Sequence, residues 1–324
     1  MASANPNMQP APSSGQGNDS ARHMRVQSIF ERNFNRLKDA NESIALAKTH
    51  ESLTARAMAY QRLGQYGLAA ADYIEAFKLD ARLPARDLKN AIICLDRSGK
   101  PDKAIELAKD MHWLYDYDFS ASLFIGALLY RKEKYDEAAV YLNEAVKTIQ
   151  MHGLSASKPT FYKKALSYLA MSQYFTDDFE GAIKSFTEII RLDKDNREAH
   201  MRRGQCHLAC GHSSMAVDDF MYAHVLDPDD YDAITKLGAA LAILGFREEA
   251  FSYLEKALAK KGPHYAGALY NMGLFYFDSG DYSKSMECLA RSVEENSNYA
   301  IMASPYIEKL KDIFRGETGS DYHE

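Results

Sequence analysis

The chain has 324 residues, of which 46% are hydrophobic and 26% charged, and its formal net charge is −6. These proportions are typical of a folded protein and exclude a largely disordered polymer. They also exclude a membrane-spanning bundle, because no run approaches the roughly 18 apolar residues that a span requires, and the negative charge argues against bulk attraction to nucleic acid.

The first segment, residues 1–20, is rich in Ala, Asn, Pro, Ser, Gly and Gln, and Asp19 is its only charged residue. Such a segment buries too little apolar surface to offset the entropy of ordering, so we predict a disordered tail. It has neither the positive nor the apolar stretch of a secretory signal. Together with only four cysteines, this predicts a reducing intracellular location, the cytoplasm.

An amphipathic helix is predicted over residues 21–50. Its apolar stripe consists of Val26, Ile29, Phe30, Phe34 and Leu37, and arginines outnumber acids beside it. The favoured interpretation is a capping helix packed on the region that follows. The alternative is peripheral contact of the basic segment 22–38 with a membrane surface or a partner.

Residues 51–299 contain one pattern repeated seven times: a small residue in a first amphipathic stretch, a Gly or polar turn, and a small residue that opens a second stretch. The opening residues are Ala69, Ala104, Ala138, Ala182, Ala216, Ala250 and Ser285. They are 34 or 35 residues apart, except for a 44-residue interval between Ala138 and Ala182. A period of this length predicts stacked helix pairs, here seven pairs or fourteen helices.

The fifth copy resembles a tetratricopeptide repeat. Its matching residues, in the order of that family, are Gly204, Gly211, Ala216, Phe220, Ala223 and Leu226-Asp227-Pro228. The second copy departs most, with Ile92 at the small position and Pro101 at an aromatic one. The resemblance implies an all-α fold, an α-solenoid coiled as a right-handed superhelix of about seven repeats with N- and C-terminal capping helices. Such arrays bind partners along an extended surface.

The longest interval contains about ten extra residues within 148–159, between helix-breaking Gly153 and Pro159. An extended helix pair with a longer loop and a hinge between repeats are both compatible with this segment. Beyond the repeats, apolar residues at helical spacing predict a capping helix over 300–315, which would cover the last apolar face. Residues 316–324 read as a short acidic tail.

Residues 206–212 contain two cysteines and two histidines, which suggests zinc. Cys206, however, occupies the small packing position of a first helix, and Cys210 is at the end of that helix. We therefore predict buried free cysteine and neither a metal nor a cofactor. Phosphate-loop, zinc-protease and nucleophile-elbow motifs are missing, which predicts a protein that is not an enzyme. Paired acids such as Asp218-Asp219 are read as exposed turn or helix-face residues.

The resemblance to tetratricopeptide repeats implies that the first helix of each pair lines a concave groove. The residues predicted to bind a partner there are Arg86, Lys89, Asn90, Phe124, Arg131, Lys164, Tyr168, Met171, Tyr174, Arg202, Lys236, Tyr270 and Asn271. This mildly basic and aromatic set fits an acidic, partly apolar peptide segment, extended or helical, of a protein partner. For Tyr168, Met171 and Tyr174, packing between repeats is the alternative.

The function predicted from the sequence is that of a non-catalytic adaptor or scaffold for protein–protein interaction. The first alternative is a permanent structural subunit of a larger assembly. RNA binding is disfavoured by the net charge and by the lack of a repeated base-reading pair of residues, so we expect no nucleic-acid partner.

Overall fold

A computed structural model describes residues 16–79, 85–115 and 118–320. All regular structure in these ranges is helical, as the sequence predicts, and none of the helices there combines the length and apolarity needed to cross a bilayer. Residues 1–15 of the predicted disordered tail and residues 321–324 of the predicted acidic tail lie outside the described residues. The chain divides into two compact units at Glu133 and Lys134, and each unit is described by itself.

Unit 1 contains six helices among its described residues, and consecutive helices pack on one another. They are α1 (Gln16–Leu46), α2 (His50–Arg62), α3 (Tyr66–Leu79), α4 (Arg86–Arg97), α5 (Pro101–Leu114) and α6 (Phe119–Arg131). The pairs α2–α3 and α4–α5 correspond to the first two copies of the repeat, and α6 is the first helix of the third.

Unit 2 begins with the second helix of the third copy and continues through the four remaining pairs. Its α-helices are α7 (Tyr135–Met151), α8 (Leu154–Ser157), α9 (Pro159–Phe175), α10 (Phe179–Leu192), α11 (Arg197–Ala209), α12 (Ser213–Leu226), α13 (Tyr231–Ile243), α14 (Arg247–Leu258), α15 (Tyr265–Asp278), α16 (Tyr282–Glu295) and α17 (Ala300–Ser320). A 3-10 turn, Ser297–Tyr299, precedes α17. Within the described ranges, the seven copies therefore contribute the fourteen helices that the sequence predicts.

The small residues of the repeat allow the two helices of a pair to approach closely. A Cβ atom added to Gly204 would lie 2.7 Å from Phe220 Cε1, and one added to Gly238 would lie 2.9 Å from Leu254 Cγ. Ala250 is fully buried on the facing helix. Larger side chains at these positions would separate the helices, which explains the periodicity in the sequence.

Most turns between paired helices use a glycine in the left-handed region, where only glycine avoids a steric cost. Gly211, for example, has φ +77° between α11 and α12. Two pairs have other residues there: Glu133 (φ 59°) precedes α7 and Asp177 (φ 58°) precedes α10. These two turns carry the backbone strain that the glycines avoid elsewhere.

The extra residues of the segment 148–159 lengthen the helices on either side of it and leave only a short connection between them. Both α7 and α9 have 17 residues, and between them Gly153 (φ 62°) precedes the single turn α8. Helices α7 and α9 pack directly on each other, and the ring of Tyr135 stacks on that of Phe175 at 4.6 Å. This is the extended-pair arrangement, and the division into units falls before α7, outside 148–159.

The terminal helices extend beyond the predicted boundaries: α1 begins at Gln16, within the segment predicted as a tail, and α17 continues to Ser320. Helix α1 packs on α2. Among its side chains from residue 27 onward, for which burial is described, Asn33 and Ala40 are buried, whereas Phe30 and Phe34 of the predicted apolar stripe are 59% and 57% exposed. The face of α1 that packs on α2 is therefore not its most hydrophobic face.

Candidate partner-binding surface

In unit 1, the predicted binding residues lie on α4 and α6, the first helices of their pairs. Arg86 is exposed, Lys89, Asn90 and Phe124 are half-buried, and Arg131 is exposed. Lys89 Nζ lies 2.8 Å from Asp118 Oδ2, and Arg131 donates to Asp96. Burial works against the charge of Asp118, but hydrogen bonds from Lys89 and Ser120 hold its pKa below the usual value. Carboxylates therefore offset much of the positive charge that the sequence predicts for this surface.

In unit 2, α9 presents four of the predicted residues along one face. Lys164 is exposed, and its Nζ lies 5.9 Å from the ring centre of Tyr168. Met171 and Tyr174 are half-buried. The ring of Tyr174 meets those of Phe175 and Phe179 edge-on, at 5.6 and 6.1 Å, and the guanidinium of Arg202 on α11 lies 5.6 Å from its centre. Tyr174 thus packs between repeats and still presents part of its surface.

The next predicted cations are also paired with acids. Arg202 Nε donates to Glu198 Oε1 at 2.7 Å, and Lys236 pairs with Asp232 one turn earlier on α13. Tyr270 contacts the C-terminal segment, because its ring lies 5.5 Å from that of Tyr299. Burial raises the pKa of the Tyr270 hydroxyl. Tyr270 therefore belongs to the packing of the terminal helices rather than to an open surface.

Asn271 lines a cavity of about 160 Å³ between the first helices of the last two repeats. The lining residues are Ala239, Ala242 and Ile243 of α13, Arg247 of α14, and Asn271, Leu274, Phe275 and Asp278 of α15. The guanidinium of Arg247 lies 5.3 Å from the ring centre of Phe275 and donates to Ser279 Oγ. The cavity has apolar walls with an amide, a guanidinium and a carboxylate at its margin.

Sequence reasoning found Asn271 but missed the rest of this cavity. The available signal was the pair of alanines one turn apart, Ala239 and Ala242, on the exposed side of α13. Small side chains there leave a space that Leu274 and Phe275 of the next first helix border but do not fill. A pattern analysis of each helix alone does not detect a space bounded by two helices.

The sequence prediction for Asp219 was wrong. The sequence reading placed it on an exposed face, but it is 3% exposed between α11 and α12. Its carboxylate accepts hydrogen bonds from Arg203 Nε and Nη2, at 2.9 and 2.7 Å, and His200 Nδ1 lies 2.9 Å away. Burial alone would raise the pKa of Asp219, but the His200 and Arg203 contacts lower it below the usual value.

The cysteines near α11 have two different environments. Cys206 is fully buried, and burial raises the pKa of its thiol to about 12, so it is the packing residue that the sequence predicts. Cys210 is half-exposed at the end of α11. It lies together with His212 and with Glu180 of α10, one ligand-type atom of each within 4.8 Å of the others. Among the described residues, these three side chains are the group able to hold a metal ion.

Sequence models described as tetratricopeptide repeat match residues 50–82 and 266–299 in one case and residues 168–233 in another. These three segments cover the first helix pair, the fourth and fifth pairs from the middle of α9, and the last pair. The segment 168–233 contains Gly204, Phe220 and Gly211, which form a close helix contact and a glycine turn described above.

Two known proteins are similar in sequence over part of the chain. DnaJ homolog subfamily C member 3 of Gallus gallus is 27% identical over 152 residues, which is 45% of this chain and 30% of that protein. The probable UDP-N-acetylglucosamine–peptide N-acetylglucosaminyltransferase SPINDLY of Hordeum vulgare is 28% identical over 121 residues, 35% of this chain and 13% of that protein. The similarity spans less than a third of either relative.

Among solved structures, YrrB superposes with a TM-score of 0.54 and 20% sequence identity. The match covers 62% of this chain and 97% of YrrB, which is described as a TPR protein with an unusual peptide-binding site. At this level of identity the comparison shows a shared fold.

Proposed function

This chain belongs to the tetratricopeptide repeat family, and we propose that it is a non-catalytic adaptor that holds a peptide segment of a partner protein against its first helices. Repeats of this kind act generally as protein–protein interaction scaffolds. The observation that carries the proposal is the cavity between α13 and α15, bordered by apolar walls and by Asn271.

The cavity has the size and lining of a socket for one apolar side chain. A cavity of comparable volume, about 150 Å³ and lined by Leu, Ile and Phe, holds a benzene molecule. Its volume here is about 160 Å³, and Ile243, Leu274 and Phe275 contribute to its walls. Burying an apolar anchor in such a socket would supply most of the binding energy, as buried central contacts do at interfaces.

Polar groups at the margin would orient the bound segment. The side-chain amide of Asn271 has both a donor and acceptors, the combination needed to bond a peptide group of the ligand. Arg247 offers a cation beside the same opening. An extended or helical segment with one apolar anchor, and with an acidic residue placed beside Arg247 rather than beside the Asp278 carboxylate, matches these groups.

The cation Lys164 on α9 also favours a ligand segment with acidic residues. Lys164 is exposed, whereas Lys236 is held by Asp232. Attraction of an acidic segment therefore depends on a few cations rather than on a uniformly basic surface. We infer that electrostatics adds to the association rate and that the apolar socket determines how long the complex lasts.

The test is to select peptides that bind the full chain from a random library and to measure their affinity by fluorescence anisotropy. Ala242→Leu fills the socket, so Kd should increase roughly tenfold or more, as expected when a buried anchor is lost. Ala259→Leu is the matched control, because Ala259 is exposed at the end of α14 and outside the socket. Equal affinities of wild type and Ala242→Leu, or equal losses in both variants, would show that the peptide binds elsewhere.

A permanent structural subunit is the second candidate, and exposed apolar side chains outside the first helices favour it. Val140 of α7 is 69% exposed, Val225 of α12 is 68% exposed and Ile301 of α17 is 86% exposed. A permanent subunit would be purified from its cells with a fixed set of partners at constant stoichiometry, and Val225→Asp would release them. An adaptor would be recovered alone after dilution, with Ala242→Leu and not Val225→Asp weakening its complexes.

A further inference from the structure

The half-exposed cluster at the start of α10 combines residues of two successive repeats. Glu180 lies in the first turn of α10, Cys210 directly follows the last residue of α11, and His212 immediately precedes α12. The turn through Gly211 (φ +77°) places Cys210 and His212 on the same side of the chain as Glu180. One side-chain donor atom of each residue lies within 4.8 Å of the other two.

The donor set is that of a borderline-soft divalent ion. Zinc is bound by cysteine sulfur, histidine nitrogen and carboxylate oxygen, at about 2.0–2.3 Å in a tetrahedral arrangement. Ligand atoms at those bond lengths are separated by roughly 3.3–3.8 Å. The three donor atoms, which now lie within 4.8 Å of one another, would have to approach by about one ångström to reach these separations. Rotation of side chains at the ends of helices can supply this movement.

A second observation comes from His207, one turn before Cys210 on α11. His207 is 8% exposed, its Nδ1 has no hydrogen-bond partner among the described residues, and its ring centre is 5.8 Å from that of His212. A buried polar atom without a partner is uncommon in native proteins, and an ion with its bound water is one group that satisfies such an atom. The ring that carries this unpaired nitrogen therefore lies next to His212, one of the three ligand-type residues.

We propose that Glu180, Cys210 and His212 bind one divalent transition-metal ion of the zinc class, with water in the fourth position. Cys206 is not a ligand, since it is fully buried in the packing of its repeat. The ion would join α10 to the turn between α11 and α12, and so would tie the fourth repeat to the fifth. From the sequence, only residues 206–212 were considered and zinc was set aside because Cys206 occupies a packing position, whereas the third proposed protein ligand comes from α10.

Cobalt substitution tests the thiolate ligand directly. The untagged full chain is freed of metal with a chelator, kept reduced and titrated with Co²⁺. We expect an intense thiolate-to-cobalt absorption band that saturates at one equivalent and disappears when Zn²⁺ is added. Cys210→Ser should abolish this band, and Cys288→Ser should leave it unchanged, because Cys288 is the other half-exposed thiol of the described chain. No band, or a band that persists in Cys210→Ser, would overturn the proposal.

Zinc affinity tests the other two ligands. In competition with a chromophoric chelator, Glu180→Gln and His212→Gln should each raise the Kd for Zn²⁺ about tenfold or more, since each removes one of three protein ligands. Zinc should also raise the melting temperature of the wild type but not that of Cys210→Ser. Circular dichroism of the Glu180→Gln and His212→Gln variants without metal should match the wild type, because both side chains are exposed. Wild-type affinity in Glu180→Gln and His212→Gln would refute the site.

Discussion

Arg203 on α11 holds Asp219 on α12 through two hydrogen bonds, Nε to Oδ2 at 2.9 Å and Nη2 to Oδ1 at 2.7 Å. The same arrangement joins α2 and α3, where Arg56 Nε and Nη2 donate to Asp72 at 2.7 and 2.8 Å. In both pairs the residues are sixteen positions apart, one on each helix of a repeat. A bidentate pair at fixed spacing therefore fastens the two helices of a repeat in each unit.

Replacing Asp219 with alanine should strongly destabilise unit 2. The substitution leaves Arg203 and the buried His200 without their carboxylate, and breaking a buried ion pair on one side costs roughly 3–5 kcal/mol. Urea unfolding followed by circular dichroism measures the loss. Asp218→Ala is the matched control, because Asp218 is exposed one position earlier on the same helix, and its effect should stay within about 0.5 kcal/mol. Similar midpoints for the two variants would show that the buried pair contributes little.

Acid should weaken the fold partly through Asp219. Burial raises the pKa of Asp219, but the contacts with His200 and Arg203 together lower it by more. The folded-state pKa of Asp219 therefore lies below the usual value. A carboxyl of this kind stabilises fully above the pKa of the unfolded chain, about 3.9, and its contribution disappears as pH falls through the lower folded value.

We therefore expect the urea concentration at the unfolding midpoint of the wild type to decrease as the pH is lowered below about 4. Asp219→Asn removes this titration, so its midpoint should depend less on pH in the same interval while being lower at neutral pH. Identical slopes for Asp219→Asn and the wild type would assign the acid sensitivity to other carboxylates.

Gly238→Val should separate α13 from α14. An added Cβ would lie 2.9 Å from Leu254 Cγ and 3.3 Å from the backbone oxygen of Ala250, so the helices themselves must shift. Overpacking of this kind costs about 1–3 kcal/mol in unfolding experiments. Gly67→Ala is the control, because an added Cβ meets no atom within 4 Å there, and it should be neutral or stabilising by up to about 1 kcal/mol. A Gly238→Val protein as stable as wild type would contradict the close-approach role.

Lys164→Glu should slow the association of an acidic peptide that binds the first-helix surface of unit 2. Lys164 is exposed on α9, and reversing its charge replaces attraction by repulsion. Stopped-flow measurements at several salt concentrations should show the largest difference at low salt, since screening weakens it. Lys184→Glu, on the second helix α10, makes the same charge change on a different face and should leave the rate nearly unaltered. Equal slowing in both variants would indicate an effect of net charge alone.

The repeat fold could be predicted because its determinants are local and periodic. Gly204 and Gly238 are required by close helix contacts, and Gly211 by a left-handed turn, so each leaves a signal at a fixed offset. The ends were harder to predict, because α1 and α17 extend through residues that have no such periodic requirement. The boundary of a terminal helix depends on what it packs against and on fraying, neither of which the pattern specifies.

The sequence by itself determined the fourteen helices, their pairing order and the small residues at close contacts between paired helices, because helix period and steric fit are properties of short segments. Tertiary structure alone decided three things: that Asp219 is buried against Arg203, that α13 and α15 border an open cavity beside Asn271, and that Glu180 lies near Cys210 and His212. Each depends on the distance and angle between helices. Those quantities come from the packing of whole side-chain layers, so no single segment of the sequence encodes them.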